Sequence, residues 1–492
     1  MSSARGRFTK NDDSISFSII MAVIGSSFGA SINMGYFGSV LNEPTPYIMR
    51  FMKTSVKDHY GHYLTKGQLS VLWSMCYFLY PIAAFCGGQV GARLVNRIGR
   101  KSTLLFNNIT TTVAGLSMSI SMDFNSVELF LIGRTLIGFS VGLITVASPM
   151  YLSEIAPTKH RGKISSIFYW ASTIGLTSSN ILGFDFILGS QTNWPCLFMF
   201  ALITVVIQLI CFSFCPESPK YLLVRRNRYE AAKKALEELF PGRNISLDLE
   251  NLVRERNKEG ENKKQISLRY VCMNRQFRKP LAIVIVVTLA QRMTGTNVIN
   301  FYSALILGNA GFPRSMVLGV TTMAGVSRVI AGFLGSVFID RAGRKTLLMC
   351  GLTFMFISSI SLAMFLQVHH AWANYVASVS IFVFVASYSF GVAPVAWILV
   401  SELFTSSVRP VAASIGSLFN WSSVAFVGLM FPIMENLMGP DVWLIFTTIT
   451  FFCAAFILIV VPETKGKTIL EIQRILNPVG YREMDTEMIE KI

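Results

Sequence analysis

Arginine and glutamate recur in this chain as matched sets, and these are the side chains from which a reversible ionic latch can be built. Ser153-Glu154, with Arg161 after it, returns 248 residues later as Ser401-Glu402 with Arg409. Asn96-Arg97-Ile98-Gly99-Arg100-Lys101 returns after 244 residues as Asp340-Arg341-Ala342-Gly343-Arg344-Lys345. Pro216-Glu217-Ser218 returns after 246 as Pro462-Glu463-Thr464, and 246 is half of the 492-residue chain. Three echoes in order at nearly one offset mark a duplicated unit. The repeated arginines alone would fit a simple basic anchor, but the matched glutamates point to ion pairing. Catalytic chemistry finds no support. The five histidines are scattered, and no His/Cys cluster has the spacing of metal ligands. His369-His370 reads as a solvated pair in an outer loop. No enzyme, metal or cofactor is expected.

The elements that must hold these residues are membrane helices. Hydrophobic residues make up 52% of the chain and charged residues 14%, against about 25% charged in ordinary soluble domains. Mean hydropathy is +0.51. A spanning helix needs about 20 mostly apolar residues. Apolar runs and their punctuation predict twelve spans, near 16–40, 69–92, 102–121, 128–151, 163–187, 195–215, 280–308, 315–339, 346–367, 373–399, 411–435 and 441–461. The expected fold is an all-α membrane protein of two pseudo-symmetric six-helix bundles. Its parts are an N-terminal tail (1–15), a first bundle (16–215), a linker with short helices (216–279), a second bundle (280–461) and a C-terminal tail (462–492). The first span follows a charged segment and has no cleavage pattern, so it reads as retained rather than as a signal peptide.

Basic residues cluster in the turns after the even-numbered spans, which puts those turns, the linker and both termini in the cytoplasm. The net charge of +16 then reads as topology and attraction to an anionic inner leaflet, not as nucleic-acid binding. The lipid bilayer and a small-molecule substrate are the expected partners; the oligomeric state stays open. Most of the eight cysteines fall in or beside apolar spans and do not read as a disulfide framework. Duplicated membrane halves are a common way to build two gates around one solute site.

These motifs carry a family resemblance. Arg97-Ile98-Gly99-Arg100-Lys101, Gly133-Arg134, Pro149-Met150-Tyr151 with Glu154 and Arg161-Gly162, Pro216-Glu217-Ser218-Pro219-Lys220 and Pro462-Glu463-Thr464-Lys465-Gly466 resemble the signatures of the sugar porters. That family belongs to the major facilitator superfamily, and the chain is most similar to animal facilitative glucose transporters. The resemblance implies the major facilitator fold and transport by alternating access at, in the first instance, the plasma membrane. It also implies a cytoplasmic gate of Arg97, Arg100, Arg134, Glu154, Arg161, Glu217, Arg341, Arg344, Glu402, Arg409 and Glu463. Proton-coupled members use a carboxylate in span 1, and Ser16–Leu41 contains no Asp or Glu, so uniport is favoured.

For the solute site, the resemblance implies Gln291 and Asn297 of span 7, Trp397 of span 10, and Asn420 and Trp421 of span 11. Amides suit sugar hydroxyls because each offers donor and acceptor. Other positions depart from the family pattern: Arg292 replaces a Gln, Arg328 an Asn, Tyr169 a Gln and Ser389 a Glu. Arg292 lies 13 residues beyond Lys279, and Arg328 lies 12 before Asp340. At ~1.5 Å per residue both are roughly 18–20 Å into the membrane. Each would cost about 2.5–3.5 kcal/mol there without compensation. The expected function is therefore facilitative transport of a hexose or related polar solute. The alternatives are a small organic anion, urate- or dehydroascorbate-like, held by Arg292 and Arg328, or a non-transporting sugar sensor.

Overall fold

The structure, a computed structural model, describes residues 16–157, 161–261, 268–368, 370–404, 408–467 and 469–476. Twelve long helical segments run through it. The first six are α1 (Phe17–Ser39), α2 (Lys66–Arg97), α3 (Arg100–Ile120), α4 (Val127–Ile155), α5 (Arg161–Leu182) and α6 (Trp194–Ser213). The second set begins with α7, which has two pieces, Arg275–Met293 and Thr296–Asn309. It continues as α8 (Arg314–Ala342), α9 (Arg344–Phe365), α10 (Ala371–Ser387, then a π turn, then Ala393–Leu403), α11 (Arg409–Met438) and α12 (Val442–Val460). Each expected span meets its helix to within a few residues. Nine runs of the described residues are long and apolar enough to cross a membrane, the last of them covering both α11 and α12. The two helices outside those runs are α3 and α5, which carry many Ser, Thr and Asn residues. The protein is an all-α membrane protein with two six-helix bundles.

Helices in a bilayer gain little by excluding water from one another, so close approach through small residues does much of the holding. A Cβ added at Gly35 of α1 would lie 1.7 Å from the Ser172 carbonyl of α5, and one at Gly142 of α4 would lie 2.1 Å from Ala84 of α2. The second bundle repeats the device where Gly335 of α8 meets the Phe390 carbonyl of α10, at 2.3 Å. Alternation of direction places every even-to-odd turn at one end of the molecule, here named the basic end. The linker helices Tyr229–Leu239 and Ser246–Glu261 lie at the same end. Leu239 packs among Ile19, Leu152 and Phe212 of the first bundle.

Three backbone irregularities shape the centre. α7 breaks at Thr294–Gly295, where Gly295 has φ +98° and abuts Trp443. Only glycine adopts that conformation without strain. π turns interrupt α1 at Ser27–Ser31 and α10 at Tyr388–Val392, the kind of irregularity often found at functional sites.

Candidate functional site: two ionic clusters, a polar centre and a closure at the far end

At the basic end each bundle carries one ionic cluster, and the two are near copies. In the first, Arg100 Nε lies 2.8 Å from Glu154 Oε2, and Arg100 Nη2 donates to Oε1 at 2.9 Å. Arg100 Nη1 donates to the Val95 carbonyl at 3.1 Å, and the Ser218 hydroxyl donates to Glu154. In the second, Arg344 Nε and Nη2 each lie 3.0 Å from Glu402 Oε1. Arg344 Nη1 donates to the Ile339 carbonyl at 3.2 Å, and Thr464 Oγ1 donates to Glu402 Oε2 at 2.6 Å.

Glu217 and Glu463 have a role that their position in sequence did not reveal. Glu217 Oε1 accepts from the amides of Arg100 (2.9 Å) and Lys101 (3.0 Å), and Oε2 accepts from that of Ser102 (3.1 Å). Glu463 accepts from the amides of Arg344 (2.9 Å) and Lys345 (3.1 Å). Each carboxylate therefore caps the N-terminus of the next helix, where amides are otherwise unpaired and the dipole favours negative charge. The preceding glycines are forced: Gly99 (φ +107°) and Gly343 (φ +90°) pass so close that a Cβ would sit 2.3 and 2.6 Å from the carboxylates. Asn96 is not the residue that starts the next helix, which is capped at Gly99. Asn96 lies in the last turn of α2 and donates to the Ala92 carbonyl at 3.0 Å.

Not every expected gate residue joins these clusters. Arg97 and Arg341 have exposed side chains and contribute their carbonyls, to Tyr221 (2.8 Å) and Lys465 (2.7 Å). Arg409 donates to the Phe404 carbonyl at 3.3 Å. The side chains of Arg161 and Asp340 lie outside the described residues. Arg134 belongs elsewhere, which corrects its place in the gate. It sits seven residues from the far end of α4, ~30 Å along the helix from Glu154. It is fully buried, donates to the carbonyls of Cys76 (3.1 Å) and Phe37 (2.5 Å), and lies 4.3 Å from the Tyr80 ring centroid.

The polar centre gathers around the break in α7. Arg292, one residue before the end of its first piece, donates from Nε to Asn420 Oδ1 at 2.8 Å and from Nη1 to Asn297 Oδ1 at 3.4 Å. Gln291 donates to the Ala393 carbonyl at 2.9 Å, just past the π turn of α10. Arg328, at the midpoint of α8, donates from Nη2 to Asn300 Oδ1 at 2.6 Å and interacts electrostatically with Tyr169, Tyr388 and Arg292. Gln291, Asn297, Asn420, Trp421 and Arg328 are buried, while Trp397 and Tyr169 are about 40% exposed. The structure thus brings together Arg292, Asn297, Asn420, Arg328 and Tyr169. Asn300 was missed by sequence reasoning, although its i, i+3 spacing from Asn297 puts both on one helix face.

The far end is closed by the second piece of α7. Asn42 Nδ2 donates to Ser303 Oγ at 2.9 Å, and Asn42 Oδ1 accepts from the Ala304 amide at 3.1 Å. Ser39 Oγ lies 3.1 Å from the Asn300 carbonyl, and Tyr77 donates to the Phe301 carbonyl at 2.8 Å. Between α5 and α8, Asn180 donates to the Thr321 carbonyl at 3.2 Å. Arg314 grips Asp185 with two 3.2 Å bonds and donates to the Glu43 carbonyl at 3.1 Å. At the rim, Asn436 donates to Ser70 at 3.0 Å. These bonds join first bundle to second, whereas each ionic cluster lies within one bundle.

Comparison with known proteins agrees with this architecture. Residues 18–476 match the family described as sugar (and other) transporter. The chain is 32% identical to the facilitated glucose transporter member 3 of Canis lupus familiaris over 95% of this chain and 93% of that one. It is also 32% identical to member 5 of Ovis aries, over 93% and 91%. The fold matches the inward-open xylose transporter XylE from E. coli with TM-score 0.76 at 24% identity, covering 93% of this chain and 99% of that one. The chain belongs to the sugar porter family of the major facilitator superfamily and is most like the animal facilitative glucose transporters.

Proposed function

We propose that this protein carries a hexose or related small polar solute across the membrane by uniport. The two bundles rock about the polar centre, exposing it to one side at a time. The observation that carries this reading is the pairing of that centre with a closure built from α7 itself. The same helix presents Gln291, Arg292 and Asn297 to the solute and Ser303 and Ala304 to Asn42 of the other bundle. Solute binding and outer closure are thereby linked through one broken helix. A channel has no use for this arrangement.

By the positive-inside rule the basic end faces the cytoplasm. The two ionic clusters would then meet across the cytoplasmic face when the bundles tilt the other way, forming the inner gate. Uniport follows from charge placement. α1 carries no Asp or Glu, and the acidic residues of the other helices lie within two or three residues of their ends or, for Glu154 and Asp340, in the last turn. A proton passenger would need a titratable group at membrane depth.

Purified protein in liposomes tests this. Labelled glucose is expected to enter saturably and to level off at its external concentration even when a proton gradient is imposed. Accumulation driven by the gradient would replace uniport with symport. Binding without entry would favour the sensor.

A further inference from the structure

We infer that the cargo bears a negative charge: a sugar-sized hydroxylated body with one carboxylate, seated between Arg292 and Arg328. The inference rests on the transport reading above and names its substrate class.

Two guanidinium groups, on α7 and α8, share the polar centre: Arg292 bonds Asn297 and Arg328 bonds Asn300, one turn apart on the second piece of α7. Arginine stays charged in proteins, so neither group can shed its charge by losing a proton. A carboxylate is the ordinary partner for such a pair, yet no Asp or Glu occurs at their depth in any of the twelve helices. The acidic residues of those helices, Glu128, Glu154, Asp340, Glu402 and Glu435, all lie near helix ends.

The hydrogen bonding around Arg328 is also incomplete. The side chain is 6% exposed, its Nη2 bonds Asn300, and its Nε has no partner among the described residues. Gln291 Oε1 and Ser389 Oγ, on the neighbouring α7 and α10, are likewise buried without a partner. Buried polar groups are rarely left unpaired, and a cluster of them suits a place where a polar ligand binds. Arg328 also lines a small cavity between the bundles, with Ser39, Asn180, Asn300, Ser303 and Thr321.

Arg134 shows how this chain buries a cation for structure alone. It is held by two main-chain carbonyls and a tyrosine face, leaving only Nη2 over. Arg292 and Arg328 are held instead by the amide side chains of Asn297, Asn300 and Asn420. Such amides can turn to hydroxyls when a solute enters, freeing both guanidinium forks for a carboxylate. The second piece of α7 also starts here, and its N-terminal dipole favours the same charge.

The test compares labelled D-glucuronate with labelled D-glucose in proteoliposomes holding wild type, Arg328→Asn, Arg328→Lys or Arg292→Gln. Wild type is expected to take up glucuronate saturably, and unlabelled glucuronate to compete with glucose. The glucuronate-to-glucose uptake ratio should fall about tenfold in Arg328→Asn and in Arg292→Gln. It should fall less in Arg328→Lys, which keeps the charge. Should one variant not fold, the other and the wild-type competition still decide. Glucose entry without glucuronate entry or competition overturns the inference and leaves the transport reading standing, as does an unchanged ratio in the charge-removing variants. Entry of neither solute overturns both.

Discussion

Glu217 and Glu463 are the residues whose work differs most from what their sequence context suggests. Their motifs read as half of an ion pair, yet the carboxylates accept main-chain amides more than 115 residues away. No local pattern announces a bond of that span. Burial alone would raise the Glu463 carboxyl, but the amides of Lys465, Arg344, Lys345 and Thr464 outweigh it and hold it below 4.5. A carboxyl depressed by folding stabilises the fold above its unfolded pKa and ceases to do so as pH falls through the folded value. The melting temperature in detergent should therefore drop as pH falls below 4.5, and Glu463→Gln should flatten that drop. At neutral pH the variant should lose about 0.5–2 kcal/mol, the usual worth of a helix cap. The ion pairs themselves are better shielded. Arg100 and Glu154 have side chains 5% and 10% exposed, so Glu154→Gln should cost about 3–5 kcal/mol in thermal or denaturant unfolding. Arg134 was expected in the gate because it shares a family signature with the residues of the ionic clusters. Counting its turns along α4 would have put it at the other end.

Among the elements, the twelve spans were legible because bilayer thickness fixes their length and turn residues mark their ends. The break in α7 was not. Its sequence continues apolar on both sides, so a single span of 280–308 fits the hydropathy equally well. The break lies where Gly295 takes φ +98° beside Trp443 of α12, whose ring would stand 3.1 Å from an added Cβ, a tertiary fact. Gly295→Ala should destabilise the protein by about 1 kcal/mol or more, since alanine is strained at positive φ. Lowered thermal stability together with slowed transport would bear this out. The far-end latch of Arg314 and Asp185 was also invisible in sequence, because its partners come from different bundles. Their side chains are 36% and 37% exposed, so the pair is worth about 0–1 kcal/mol. Asp185→Asn should shift the carrier toward the outward-open state by no more than about fivefold, read as outer-end cysteine labelling. Glu43, beside this latch, is 1% exposed, and burial pushes its carboxyl up to about 7; Thr321 and Arg314 oppose the rise and Asp185 adds to it. The closed outer end therefore favours the protonated acid. Closure should weaken as pH on that side rises from 4.5 to about 7, and Glu43→Gln should remove that dependence in the same labelling assay.

For the whole molecule, the duplication could be read from three repeated motifs, and the two-bundle architecture from those motifs together with the apolar runs. Which end is shut could not, since both copies of the ionic cluster are present in sequence whatever the tilt of the bundles. The structure places the closure at the end opposite the basic turns and leaves each ionic cluster within its own bundle. The proposed alternating access requires that the contacts at that end part once in every cycle. Ser70 and Asn436 touch across the bundles at that rim, 3.0 Å apart, and offer a direct handle. Cysteines at both positions, in a background lacking the exposed Cys86, Cys196 and Cys272, can be joined by oxidation and released by reductant. The cross-linked protein should take up no glucose in liposomes and regain uptake when reduced. Undiminished uptake with the rim locked would contradict it.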